Sequence, residues 1–471
     1  MFEDKEDEEI FTKLTGDIVV DDNIKLKHTK KGLIFVGISI LIILVAVALI
    51  IYFIFKTHED EQNYILAKFS VNKNAYHILF HRSYYGLVKT MKVNNKEVNI
   101  NNNVTFNEKG IIEVKLIFKE KLKNLDNLFY HCHSLEEVDL SFLFSEEITS
   151  ANDMFNGCKI LKNIIFKDFH TENLNSLANM FSGCEKLENI DVNLFKYDKI
   201  KDIYGLFFNC SSLKKINFGK FNTKNVINMS KAFSGCTSLE EINLNNANNF
   251  KTGNVEDMSY MFHNCRNLES LNLSNMVTSE VIHMNNMFDS CEKLKNLEIY
   301  SFNTKKVQNM FYMFSNCKSL TSLNLSNFDT SNVIDMFAMF KDCINLTDLK
   351  INNFNTSLVT DMGEMFAKCE KLNDINISNF NVKNVENMIG MFANCSNLSF
   401  LNISNFETEK LEYASYFLDD CKNLQDLDLS NFNTQNLKRY DNFFYSDSKG
   451  GKIKYNSSIF NITIPENWNK T

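Results

Sequence analysis

Twelve cysteines recur at a nearly constant spacing, and this spacing constrains the fold more than any other feature of the chain. Ten of the eleven intervals between successive cysteines are 26 residues, and the interval between Cys236 and Cys265 is 29. A period of about 20–50 residues is typical of stacked structural units. One unit of such an array cannot bury its own apolar face, so the sequence predicts a solenoid with an extended functional surface. Binding is therefore favoured over catalysis in a cleft.

The apolar period changes halfway through each repeat. In the repeat that opens at Cys317, alternation at Leu323 and Leu325 predicts a short strand with one buried face. From Val333 to Cys343 the apolar spacings are three, three, one and three, which predicts a helix of about three turns.

A threonine stands thirteen places after the cysteine in nine repeats, for example at Thr304 and Thr356, and is expected to cap that helix. Strands stack about 4.8 Å apart, whereas packed helices need about 8–10 Å. The sequence therefore predicts an α/β solenoid with the form of a horseshoe. Its parallel sheet would lie on the concave face and its short helices on the convex face.

The cysteines occupy equivalent positions on the predicted apolar stripe. A disulfide needs two Cβ atoms that face each other at about 3.8 Å, whereas equivalent residues of stacked repeats point the same way. We therefore predict a structural ladder of buried free thiols. Its members are Cys132, Cys158, Cys184, Cys210, Cys236, Cys265, Cys291, Cys317, Cys343, Cys369, Cys395 and Cys421.

The segment before the array predicts a membrane anchor. Leu33 to Phe55 is 23 residues without a charge, and about 20 apolar residues span a bilayer core. Lysines precede this segment, whereas acidic residues follow Lys56, which places the N-terminus inside. We expect a plasma-membrane protein of single-pass type II topology with an extracellular solenoid.

These predictions divide the chain into six parts. They are an acidic cytoplasmic tail at 1–32, the transmembrane helix at 33–55, a stalk at 56–62, a β-rich N-terminal cap at 63–120, the solenoid of about twelve repeats at 121–444, and a C-terminal cap at 445–471.

The charge of the chain excludes one class of partner. The net charge is −8, of which −7 falls on residues 1–22, so the remaining chain has no basic patch of the kind that binds nucleic acid. We predict no nucleic-acid partner and no small-molecule substrate.

Two motifs suggest chemistry, and we interpret both as structural. His131 and His133 flank Cys132, but zinc needs three or four convergent ligands, so we predict no metal. Asp426 and Asp428 resemble the D-x-D of glycosyltransferases, yet they fall on a predicted strand of the array. We predict that the chain is not an enzyme and needs no cofactor.

The outward strand positions are the candidate binding residues. Positions five, seven and nine after each cysteine alternate with the buried ones. Repetition of the polar residues there fits selection for a ligand or repeat duplication alone. The candidate ligand-binding residues are Asn217, Asn243, Asn272, Glu298, Tyr300, Asn324, Lys350, Asn376, Phe400, Asn402 and Asp428. Possible N-glycosylation sites are Asn103, Asn272, Asn324, Asn345, Asn376, Asn402, Asn456 and Asn461.

The amino-acid sequence of the repeats resembles that of a known family. The segment LNLSNFDTSNVIDMFAMF, Leu323 to Phe340, is similar to the BspA-type leucine-rich repeat, and the likeness extends from about Leu122 to Phe444. It is weaker in the first three repeats, where Leu143 replaces a phenylalanine. The resemblance implies a leucine-rich-repeat horseshoe and a surface protein associated with adhesion to matrix proteins or host cells, and it implies no catalytic residue.

We therefore expect a membrane-anchored surface protein that binds an extracellular protein or glycan. The first alternative is a surface-coat or antigenic decoy protein without a specific ligand. A type II glycosyltransferase-like enzyme is the remote alternative.

Overall fold

The computed structural model describes residues 41–52, 63–167, 169, 172–193, 199–219, 221–244, 250–444 and 450–470. The chain divides into two units, Met1–Gln62 and Asn63–Thr471. In the first unit the structure describes a helix over residues 41–52. The predicted tail at 1–32 and stalk at 56–62 lie outside the described residues.

The second unit is built almost entirely from strands and turns, and the 3-10 turn Arg82–Tyr84 is its one helical element among the described residues. The strands are β1 (Tyr64–Val71), β2 (Tyr76–Ile78), β3 (Val88–Val93), β4 (Lys96–Val98), β5 (Asn103–Thr105), β6 (Gly110–Phe118), β7 (Leu135–Asp139), β8 (Asn163–Ile165), β9 (Asn189–Asp191), β10 (Lys215–Asn217), β11 (Ser270–Asn272), β12 (Asn296–Glu298), β13 (Ser322–Asn324), β14 (Asp348–Lys350), β15 (Phe400–Asn402), β16 (Asp426–Leu429), β17 (Lys452–Tyr455) and β18 (Asn469–Lys470).

An antiparallel layer precedes the repeats. Its sheet has the order β4-β3-β6-β1-β7-β8, and β1 pairs antiparallel with both β6 and β7. Strand β7 is the first strand of the array and pairs parallel with β8. Alternate residues of β1, namely Ile65, Ala67 and Phe69, are fully buried. The layer therefore joins the first repeat through shared strand pairing.

Within the array, the short strands pair in parallel and in register with an adjacent strand, mostly two at a time. Leu323 of β13 pairs with Leu349 of β14, and Leu401 of β15 pairs with Leu427 of β16. These paired leucines point inward, as the alternation in the first half of the repeat requires. The fold is thus a β-solenoid of about twelve turns.

The second half of each repeat is not a helix, so the prediction of convex helices is wrong. Residues five and one before each cysteine have positive φ, such as Ala338 at 52° and Asp342 at 59°, and a left-handed residue interrupts a right-handed helix. The amide of Ala338 donates to the carbonyl of Gly363 at 2.8 Å, and that of Asp342 donates to Ala367 at 2.8 Å. These amides bond to the next repeat and not to a residue four places earlier.

The threonine that was expected to cap the helix instead joins two repeats. Thr330 is buried, and its hydroxyl donates to the carbonyl of Asn355 at 2.9 Å and accepts the amide of Asn355 at 2.8 Å. Thr356 makes the same pair of bonds to Asn381. The threonine column therefore satisfies backbone groups that no ladder bond reaches.

The horseshoe prediction is wrong for the same reason as the helices. Stacked phenylalanines line the side where helices were expected, and the ring centroids of Phe314 and Phe340 are 5.7 Å apart. Those of Phe340 and Phe366 are 5.6 Å apart. Successive repeats are thus spaced on this side much as strands are, far below the 8–10 Å or so that packed helices need. The unequal spacing that was to curve the sheet is absent from these described repeats.

The transmembrane helix predicted over Leu33–Phe55 is also wrong, and so is the single-pass type II plasma-membrane location that rested on it. Among the residues that the structure describes, none of the helices has both the length and the apolar character to cross a bilayer. The other residues of that segment lie outside the description.

The parallel ladder continues beyond the last cysteine. Strand β16 pairs with β17, and β17 pairs with β18. Trp468, which is 4% exposed, packs against Phe444 with ring centroids 6.5 Å apart. The end of the described chain thus covers the last repeat with aromatic side chains.

Candidate binding face

Short strands present two columns of side chains to solvent in most repeats, and the repeats that open at Cys236 and Cys369 continue these columns without a strand. In β13, Ser322 and Asn324 are exposed while Leu323 is 4% exposed, and the neighbouring strands repeat the alternation in register. We call the residues at positions five and seven after each cysteine the strand face. It is the surface that was predicted as concave.

The structure places the predicted ligand-binding residues along this face. Tyr300, at position nine, is the one predicted residue outside the two columns, and it is 69% exposed. The exposed members are Asn217, Asn243, Asn272, Glu298, Tyr300, Asn324, Lys350, Asn376, Phe400 and Asn402, and Asp428 is half-buried. They form an extended row and do not converge on one point.

The recurring asparagines of this row have a structural role. The side-chain oxygen of Asn324 accepts the amide of Ser326 at 3.1 Å, and that of Asn402 accepts the amide of Ser404 at 3.2 Å. Such Asx turns terminate the strand locally. The recurring Asn-Leu-Ser motif is therefore explained by the turn that follows each strand, and it is not evidence for a ligand.

Position five differs from position seven in this respect. Ser270 and Ser322 are exposed and make no hydrogen bond through their side chains to other described residues. Their substitution changes the surface without removing a turn. Position five is accordingly the place where binding and folding can be separated.

One end of the face holds an open groove of about 320 Å³. Phe400, which is 50% exposed, lies at its wall, and Asp426 stands directly opposite Phe400 in the parallel register. Asp428 forms an ion pair with Lys454 at 3.2 Å. Partial burial raises the pKa of Asp428, but hydrogen bonds from Ser430 and Lys454 lower it further, so this pKa lies below its usual value.

Asp426 and Asp428, the D-x-D candidate, therefore lie on an open strand of the array. Their side chains leave the same face of β16 two residues apart. That the chain is not an enzyme stays a prediction.

The cysteines form a continuous buried column behind the face, and all twelve are free thiols. The thiol of Cys343 donates to the carbonyl of Phe314 at 3.1 Å, and that of Cys369 donates to Phe340 at 3.2 Å. Burial raises the pKa of Cys343 to about 12. A thiol that is buried, protonated and hydrogen-bonded is a poor nucleophile.

The histidines beside Cys132 lie next to each other. The rings of His131 and His133 are 5.2 Å apart, and Nδ1 of His133 lies 2.8 Å from the carbonyl oxygen of Gly157. Burial lowers the pKa of His131, with contributions from His133 and Lys159. No group of three or more potential metal ligands occurs in the described part of the chain.

The predicted glycosylation sites fall on different parts of the surface. Asn272, Asn324, Asn376 and Asn402 lie on the strand face, and Asn103, Asn456 and Asn461 are exposed elsewhere, whereas Asn345 is half-buried. The side-chain amide of Asn345 donates to the carbonyl of Lys318 at 2.7 Å. Glycosylation of these residues stays a prediction.

The sequence contained a signal for the turns that the helix prediction missed. Glycine, asparagine or aspartate stands directly before nine of the twelve cysteines, for example at Gly157, Asn316 and Asp342. These residues adopt the left-handed conformation most readily. Their recurrence at one position of a repeat indicates a turn and argues against a helix.

Comparisons with known proteins give a family match and a distant likeness to solved structures. The model of a family described as Mycoplasma protein of unknown function, DUF285, matches residues 123–245, 238–349 and 335–457. No curated protein matches the chain.

A chain in the structure of the Toll–Spatzle complex, "a molecular hub in Drosophila development and innate immunity", matches with 15% identity and a TM-score of 0.20. The match covers 64% of this chain and 51% of that chain, about half of its length. A likeness this distant carries no argument about fold details or function.

Proposed function

The chain belongs to the family described as Mycoplasma protein of unknown function, DUF285, and from this repeat architecture we propose that it binds a macromolecular ligand, a protein or a glycan, in adhesion. The observation that carries the proposal is the strand face. Solenoids characteristically bind along an extended surface of equivalent positions. The finer BspA-type resemblance is part of the same proposal.

The character of the face supports a large ligand over a small one. Its side chains are mostly short and polar, and the groove beside Phe400 is open along the ladder. A small-molecule site would enclose most of its ligand in a concave pocket. Many weak contacts over several repeats suit a polymer, because each repeat adds a small increment to the affinity.

We propose that this activity is binding without turnover. Asp426 and Asp428 contribute to the surface of the groove, and no step of catalysis is assigned to them. We expect Asp428→Ala to change the affinity for the ligand. Loss of a measurable catalytic turnover in this variant would instead indicate an enzyme.

The test is saturable binding of the full purified chain to an array of matrix proteins and glycans. Ser270→Arg with Ser322→Arg places two long cations on the strand face and should weaken binding at least tenfold without lowering the melting temperature. Gln308→Arg with Ile334→Arg is the matched control, since both residues are exposed and lie outside the strand face.

Two outcomes would contradict the proposal. If no probe binds saturably, the repeat array is a scaffold without a specific ligand, as in the coat or decoy alternative. If the control pair weakens binding as much as the strand-face pair, the ligand sits on another surface.

A further inference from the structure

The strand face is more acidic than the rest of the array. Across its two columns the sequence supplies nine carboxylates and two lysines, a formal charge of −7. The carboxylates are Glu137, Asp139, Asp191, Glu241, Glu298, Asp348, Asp374, Asp426 and Asp428, and the lysines are Lys215 and Lys350.

The charged residues at position four, next to the strand face, are arranged differently from those on the face. At position four, lysine and glutamate of successive repeats pair, as in Lys162 with Glu136 at 2.7 Å and Lys295 with Glu269 at 2.9 Å. On the strand face only Glu137 and Asp428 have ion-pair partners among the described residues, Lys68 and Lys454. The other seven carboxylates make no ion pair within the described chain.

The groove adds an exposed aromatic ring beside a carboxylate that has no ion-pair partner among the described residues. Lys452 and Lys454 of β17 also line it, as the register partners of Asp426 and Asp428, but in the described chain only Lys454 forms an ion pair there, with Asp428. The exposed ring of Phe400 lies beside the carboxylate of Asp426, because the two residues are register partners on adjacent strands. A guanidinium above an aromatic face is attracted by the electron-rich face of the ring, and a neighbouring carboxylate adds an ion pair. An arginine side chain can satisfy both groups at once because its guanidinium is planar.

We infer that the strand face binds a lysine- and arginine-rich polypeptide segment, with one basic side chain in the groove between Phe400 and Asp426. This inference rests on the proposed function and names its ligand class. Uncompensated carboxylates along the ladder attract a basic partner and raise its association rate. The same charges oppose nucleic acids and sulfated glycans, and they add nothing for a neutral glycan.

The experiment measures binding of labelled peptides to the full chain by fluorescence anisotropy. A twelve-residue peptide of alternating Arg and Ser is the probe, and peptides of Glu–Ser and Gly–Ser are its matched controls. Only the basic peptide should bind, and its Kd should rise steeply as added salt shortens the Debye length from about 10 Å to about 3 Å.

Neutralising variants locate the site. Asp348→Asn with Asp374→Asn and Asp426→Asn should weaken binding of the basic peptide about tenfold, as expected when three exposed ion pairs are lost. The control removes three exposed carboxylates outside the strand face by Glu256→Gln, Glu386→Gln and Glu409→Gln. This control should change the Kd less than twofold.

Substitution of Phe400 tests the groove. Phe400→Leu keeps much of the apolar area but removes the aromatic ring, so it should weaken binding of the arginine peptide about threefold. Binding of the matching lysine peptide should fall less, because the ammonium group does not stack as a plane.

The results separate this inference from the function on which it rests. If macromolecules bind through the strand face but the basic peptide does not, or if its binding is insensitive to salt, the ligand class is wrong while the binding function stands. If the control triple variant weakens binding equally, the basic peptide binds by net charge alone and the inference is overturned.

Discussion

Cysteine suits its position in each repeat because it is small and carries one weak donor. The carbonyl oxygen of Phe314 accepts the amide of Cys317 at 3.3 Å and the thiol of Cys343 at 3.1 Å. A carbonyl has two acceptor sites, so both bonds fit. The thiol thus joins one repeat to the turn of the preceding repeat.

This column should make the protein sensitive to alkali under reducing conditions. An unfolded thiol ionises near pH 8.5–9, whereas burial raises the pKa of Cys343 and of Cys395 to about 12 in the folded chain. The folded state then holds protons that the unfolded state has lost. The stabilisation is complete below about pH 9 and is lost as the pH rises toward 12, by up to about 1.4 kcal/mol per thiol and pH unit. Urea unfolding at pH 8, 9 and 10 measures it.

A single substitution provides the control. Cys343→Ala should reduce the number of protons released on unfolding at pH 10 by about one. It should also cost about 1–3 kcal/mol at pH 7, because a buried bond and some packing are lost. An unchanged proton count would mean that the thiol of Cys343 ionises equally in both states.

At the scale of the element, each repeat is held to the next by side chains that bond to the backbone. The threonine column shows this most directly, since each hydroxyl serves both the amide and the carbonyl of one residue in the next repeat. Asparagine side chains also bond to the backbone of a neighbouring repeat, as when Asn379 donates to the carbonyl of Phe354 in the preceding repeat at 2.5 Å. The abundance of Asn and Thr therefore has a structural cause.

Thr330→Val should destabilise the protein by about 1–3 kcal/mol, although the two side chains have nearly the same shape. The substitution leaves the amide and the carbonyl of Asn355 without their partner in a part-buried position. Thr330→Ser keeps the hydroxyl and should cost less. Denaturation midpoints of the two variants compare these losses of stability. A larger loss of stability in Thr330→Ser than in Thr330→Val would show that the methyl group of Thr330 contributes more than its hydrogen bonds.

The residues with positive φ before each cysteine allow a test in which a substitution should increase the stability of the protein. Lys368 has a φ of 59° and is exposed, so Lys368→Gly should stabilise the protein by about 0.5–1 kcal/mol. Loss of its surface ion pair with Asp342 subtracts little. Lys371→Gly, at an exposed residue whose φ is not positive, should destabilise by a comparable amount. Thermal melting compares them, and a loss of stability in both variants would contradict the strained turn.

The sequence was informative about elements only where one pattern has one structural meaning. Strict alternation at Leu323 and Leu325 predicted the inward residues of the parallel ladder. Spacings of three, three, one and three from Val333 to Cys343 suit a helix, but they also suit successive turns closed by bonds between residues three apart, as from the amide of Lys341 to the carbonyl of Ala338. Periodicity alone does not separate them. The strand face was located by the same alternation, whereas its Asx turns needed atomic positions.

At the scale of the whole molecule, stability should behave as a sum over repeats and the contacts between neighbours. Removal of residues 318–343 joins Cys317 to Ile344 and restores the pattern at the junction, with Leu346 again three places after a cysteine. This deletion should fold cooperatively with a smaller denaturant m-value, since less surface is exposed on unfolding. The far-UV spectrum per residue should not change.

Removal of only residues 318–330 is the matched test, because it takes out half a repeat. The stack that contains Phe314 and Phe340 would then face a strand segment, and apolar side chains of every later repeat would lose their buried partners. We expect loss of cooperative unfolding in this variant, measured by urea titration. Equal tolerance of both deletions would mean that the repeats do not depend on register, and the strand face could not then persist as one continuous surface. A binding face assembled from one side chain per turn requires every turn to keep its place.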